Sequence, residues 1–225
     1  MAVLEGGTSA ELADIGAAVS KGLHVITKPD AYSTLGHYRF AGVTGAIAAG
    51  AAANSEVFQM RWTDATNVCI VKKVRVTGMR ATTAFAAGTI DIKATIARSF
   101  SASGTGGTAL TLTGDNQAMR TSMGTSLMGD MRIATTAALG AGTKTLDTQD
   151  IGFIATHSSA GWNGATPIIG QIYLPTDVLY LCDQAAAEHP VVLVQNEGLV
   201  VRATVPATGV WNIAVEVVWE ELTAF

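Results

Sequence analysis

Four histidines and two cysteines are the side chains best suited to hold a metal or to act as nucleophiles, so their spacing is the first thing to weigh. His24, His37, His157 and His189 are scattered, as are Cys69 and Cys182, and none pair at the short intervals zinc ligands need. Asp130, Asp147 and Asp150 share one loop-rich region without the spacing of a calcium loop. The run 104–107, GTGG, has the glycines of a phosphate cradle but no Lys-Ser or Lys-Thr behind it, and it reads as a flexible hairpin loop. A Gly-x-Ser-x-Gly elbow is missing. Glu188-His189-Pro190 sets a carboxylate beside an imidazole, as acid–base chemistry wants. Neighbours on a strand point to opposite faces, however, so surface polar residues before a strand is the simpler reading. Glu220-Glu221 lacks the deep, separately tuned acids of glycoside cleavage and reads as a solvated edge. No catalytic residue, cofactor or metal site is expected.

Among the large rings, Trp211 and Trp219 lie on an apolar stripe and read as core. Trp162, within SAGWNG at 159–164, lies in a loop and is the candidate exposed aromatic for a glycan platform. The two cysteines stand in strand-like apolar surroundings and read as reduced core thiols; a disulfide between them would need geometry that spacing does not supply.

The elements that position these groups are strands. Residues 209–222, GVWNIAVEVVWEEL, put Trp211, Ile213, Val215, Val217 and Trp219 at every second position, the signature of a long half-buried central strand. Because it ends the chain, its partners were made much earlier. That predicts an all-β antiparallel β-sandwich, jelly-roll-like, over a parallel α/β sheet. In 55–63, Val57, Phe58, Met60 and Trp62 set one face against Gln59, Arg61 and Thr63. The run 68–79 changes phase at Lys72-Lys73, and a bulge there would keep Cys69, Val71, Val74 and Val76 on one face. Ile90, Ile92, Ala94 and Ile96 alternate cleanly. Short strands are expected at 150–157, 168–174, 178–181, 191–194 and 199–205. Between the last two, Gly198 suits the left-handed position of a hairpin loop.

Two segments escape this pattern. Residues 1–38 read as an N-terminal arm, extended around Lys28-Pro29-Asp30. Thr8 and Glu11 have capping-box spacing for a short helix ending at Gly22, against which Gly16 and sparse apolar residues count. An arm this weakly apolar does not fold alone, so Leu12, Ile15, Val19, Leu23 and Val25 are candidate assembly contacts. Residues 39–225 are the body, with a long loop excursion about 100–150 where Met119, Met123, Met128 and Met131 cluster. Methionine fills irregular gaps, so this excursion is expected to cover one end of the sandwich or to form an intersubunit contact.

Composition restricts function. Across 225 residues, charged side chains are 14% and apolar ones 48%, about half the usual charge of a soluble domain, and much of the excess is Ala and Gly. Such an exterior suits a permanently assembled subunit. A net charge of −4 without a basic cluster argues against nucleic acid as partner. No window is long enough and apolar enough for a membrane helix, and MAVLEGG lacks the basic start of a signal peptide.

The succession GHYR at 36–39, FQMRWT at 58–63, ARSFS at 97–101 running on to GGTALTL at 106–112, RTSMG at 120–124, TKTLD at 143–147, HPVVL at 189–193 and NEG at 196–198 resembles virion structural proteins of tailed bacteriophages. The likeness spans roughly 36–225 and carries no catalytic motif. It implies a non-enzymatic virion protein assembled in the host cytoplasm, with the major capsid protein or other virion proteins as partners. Self-assembly as a homo-oligomer is expected, a trimer being compatible. Capsid decoration, with the arm bridging major-capsid subunits, is the foremost reading. A tail, neck or fibre-base protein is the second and a host-glycan-binding module the third.

Overall fold

The computed structural model describes residues 5–6, 11–12, 35–48, 51, 53–83, 86–112, 117–158, 177–183, 188–206 and 208–225. By its internal contacts the chain divides into two units, Met1–Ala31 and Tyr32–Phe225. In the first, strands β1 (Glu5–Gly6) and β2 (Glu11–Leu12) pair antiparallel. Glu11 and Leu12 are therefore extended where the capping-box spacing would put the first turn of a helix. The body strand β3 (Gly36–Val43) already begins inside the stretch read as arm. Tyr38 is a core residue, stacked on Trp219 with ring centroids 5.8 Å apart.

The remaining strands are β4 (Ile47–Ala48), β5 (Ser55–Trp62), β6 (Val68–Thr83), β7 (Gly88–Ala102), β8 (Thr108–Ala109), β9 (Met128–Ile133), β10 (Thr143–Ser158), β11 (Val178–Leu181), β12 (Val191–Leu193), β13 (Glu197–Thr204) and β14 (Val210–Leu222). They build two antiparallel sheets. One runs β10-β7-β13-β5-β9-β8. The other runs β11-β6-β14-β3, with β12 continuing the β11 column beside β6 and β4 continuing the β3 column beside β14.

Set aside the inserted β8 and β9, and treat the β11 and β12 pieces as one strand. The first principal strand then pairs with the last (β3 with β14), the second with the seventh (β5 with β13), the third with the sixth and the fourth with the fifth (β7 with β10). This is one long antiparallel ribbon rolled on itself, the winding of a jelly roll. As the pattern at 209–222 predicts, β14 is interior to its sheet, between β6 and β3.

Bulges set which side chains face in. Along β6 the partners step from Lys73–Val218 to Val71–Trp219, so Lys72 is the extra residue. Cys69, Val71, Val74 and Val76 all consequently reach the core, as the phase change at the lysines predicts. A second bulge at Val57 lets both Val57 and Phe58 point inward. The core stripes of β14, β6, β7, β13 and β5 merge into one buried cluster that includes Trp62, Trp211 and Trp219.

Several sequence readings are corrected. The stretch 42–53, which shows no period, contains β4, and Ile47 and Ala51 are core residues. Across 195–198 the chain switches sheets, because β12 pairs with β6 and β13 with β5 and β7, so this is no hairpin. The left-handed residue there is Asn196, φ 61°, and not Gly198. Gly198 is needed because a Cβ would collide with the Met60 carbonyl oxygen. The candidate strand 168–174 lies outside the described residues.

Candidate assembly surface

The methionine excursion divides in two. Met128 and Met131 lie on β9, paired to β5, and are buried in the core. They are packing residues, which corrects their reading as an assembly contact. Met119 and Met123 precede β9 in a segment that runs along the outer edge of β3. There Tyr38 and Ala118 form an isolated bridge, the Arg39 N–H donates to the Gln117 carbonyl, and the Met119 N–H donates to the His37 carbonyl, both at 2.8 Å. The His37 N–H donates to Met123 Sδ at 3.3 Å, and the Tyr38 hydroxyl donates to the Gly124 carbonyl at 3.0 Å. Met119 remains 45% exposed, and with His37, Arg120 and Met123 it lines a largely apolar cavity of about 290 Å³. Burial, and then Lys72, hold His37 below its ordinary pKa.

The same segment is clamped by Glu221. Its carboxylate accepts hydrogen bonds from Ser126 Oγ at 2.6 Å, the Leu127 N–H at 2.9 Å and Trp219 Nε1 at 3.0 Å. Glu221 is completely buried and Glu220, ion-paired to Lys72 at 3.7 Å, is nearly so, which overturns their reading as a solvated edge. The signal was present: residues 211 to 219 face in at every odd number, and 221 continues the series. Burial raises the Glu221 pKa, its three donors oppose the rise, and Asp64 adds to it. Burial, with Glu221 nearby, pushes Tyr38 up to about 12.

The other flagged groups have structural partners. Asp130 pairs with Arg132 at 3.0 Å, Asp147 with Arg98 at 3.1 Å and Asp150 with Arg202 at 2.7 Å. Gly104 donates its N–H to Gln59 Oε1 at 3.0 Å in a buried network where Lys144 meets Glu56 at 2.8 Å and covers the Phe100 ring. Glu188 accepts the Asp183 N–H, and the His189 ring stands edge-on to Phe225 at 5.0 Å. Among the described residues no group of three His, Cys, Asp or Glu could hold a metal, and no helix is long and apolar enough to cross a membrane. Leu12 is described by its backbone alone; Ile15, Val19, Leu23, Val25 and Trp162 lie outside the described residues.

Both cysteines are free and buried. Burial, and then Glu221, raise the Cys69 thiol well above its ordinary pKa. Thiolate being the reactive form, both should react with a disulfide reagent roughly a hundredfold more slowly in the native chain than after denaturation. Fast native labelling at either site would contradict the burial.

Fold and surface together define an all-β jelly-roll protein whose long insertion shields one sheet edge. Compared with protein-family models, curated proteins and solved structures, the chain gives no significant match.

Proposed function

We propose that this chain is a non-enzymatic structural protein of a tailed-phage particle, serving as a capsid decoration protein that bridges major-capsid subunits through its leading segment. The observation that carries the reading is the division of the chain into a jelly-roll body with its own complete core and a separate leading unit, Met1–Ala31. A segment with so few apolar side chains gains its stabilising burial from a neighbour. The low charge of the chain and the motif resemblance over 36–225 support the same role. In this mechanism the body stands on the shell while the arm crosses onto the adjoining subunit, so that opening the shell must break additional contacts.

Copy number per particle tests it. Decoration requires hundreds of copies on expanded heads. A handful of copies at one vertex would transfer the chain to the tail, neck or fibre base. Deleting residues 1–31 is expected to lower occupancy on particles about tenfold or more, which corresponds to 1.4 kcal/mol or more of lost binding. Unchanged occupancy would reject the arm as anchor.

A further inference from the structure

We infer that the open edge of β3 at Ala41–Val43 is the docking site for the leading segment of a neighbouring copy, which adds there as an extra strand. The inference rests on the arm-crossing reading above and names the place where the arm lands.

The edges of the sandwich lead to it. At one side β10 and β11, the outer strands of the two sheets, close on each other, with the Leu179 main chain against Gly152, where even a methyl group would collide. At the other side β8 is only two residues long. That leaves β3. The bonds of Arg39 and His37 to Gln117 and Met119 show that the odd-numbered residues of β3 turn their main-chain groups outward. The Thr44 N–H bonds inward to the Ile213 carbonyl, in agreement. Ala41 and Val43 therefore present N–H and C=O groups outward, past the end of the covering segment. Nothing blunts this stretch. Phe40-Ala41-Gly42-Val43 contains no charge and no proline, its pairing to β14 has no bulge, and Val43 is 59% exposed. Sheet edges are normally protected by such devices, and an unguarded one recruits an extended chain.

The flank selects the occupant. A notch of about 570 Å³ lies beside the edge, lined by Arg39, Phe40, Ala41, Gln117 and Glu216. Arg39 is exposed and has no ion pair among the described residues, whereas Glu216 is engaged by Lys73 and Arg75. The site thus offers an unused positive charge beside an apolar step. Residues 1–20 carry Glu5, Glu11 and Asp14 and no Lys or Arg, and the described pair Glu11–Leu12 is extended. A strand with Glu11 directed to Arg39 and Leu12 to the notch matches in both charge and polarity.

Hydrogen–deuterium exchange on the full-length chain, read with light scattering over a range of concentrations, tests this directly. The amides of Ala41 and Val43 should be protected about tenfold or more in the associated chain and lose that protection on dilution to monomer. Ala41→Pro, which removes an outward N–H, and the milder Val43→Lys should each abolish the protection, and Glu11→Lys should do so from the other side. Arg39→Glu combined with Glu11→Lys should restore it. Protection that is independent of concentration would place the chain's own arm on the edge, and protection that survives Glu11→Lys would place a second β3 there; either overturns the inference. So does fast exchange at every concentration. Particle occupancy, measured separately, tells loss of this contact from failure of the virion reading.

Discussion

Trp219→Ala is expected to cost about 4 kcal/mol of folding stability, the upper range for removing a buried indole. Trp219 has no exposed surface, lies directly after a bulge in β14, stacks on Tyr38 with planes 22° apart and donates Nε1 to Glu221. Truncation empties a core site, removes the ring pair and takes one donor from a buried carboxylate. With an m-value of about 2 kcal/mol/M, the urea midpoint should fall by roughly 2 M. Trp219→Phe keeps a ring opposite Tyr38 but loses the N–H, so about half that loss is expected. A midpoint shift for Trp219→Ala no larger than that of an exposed substitution would show that the ring is not packed here.

Glu221→Ala carries the second large effect, about 3 kcal/mol near pH 5. It leaves the Leu127 N–H and the Trp219 Nε1–H buried without an acceptor, at about 1–3 kcal/mol each, while Ser126 can turn to water. The direction of the pH dependence follows from the raised pKa. A carboxyl that holds its proton more tightly in the folded chain contributes most at acid pH. That contribution fades as pH climbs from its ordinary value of 4.5 through the raised one. The wild type therefore forfeits stability at Glu221 between mildly acid and neutral pH, and the alanine variant does not. The difference between the two should be smaller at pH 8 than at pH 5. Equal or larger differences at pH 8 would mean that the clamp works mainly as a charged acceptor. Because Glu221 fastens the segment that shields β3, the variant should also speed amide exchange at Met119.

Much of the fold is legible in the chain because one face of each strand is buried and side chains alternate with a period of two. That alone places the β14 stripe, the β7 stripe and the compensating bulge at Lys72. The apolar count across a phase change allows only one way to keep four side chains in a common core. Glu221 was readable by the same rule, and the habit of treating adjacent glutamates near a terminus as solvated obscured it. The methionines were read as a group because they cluster in sequence, but β9 buries Met128 and Met131 while Met119 and Met123 stay on the surface.

Local pattern, then, determined that this is an all-β sandwich, which residues fill it and that its last strand is interior, since those depend on the polarity of near neighbours along the chain. Only the folded structure decided that the first strand lies beside the last, that 195–198 crosses between sheets, and that an insertion shields part of β3 and leaves Ala41 and Val43 open. Those features depend on main-chain groups meeting across more than a hundred residues. A main-chain N–H is the same for almost every residue type, so nothing in the letters marks which ones remain unpaired.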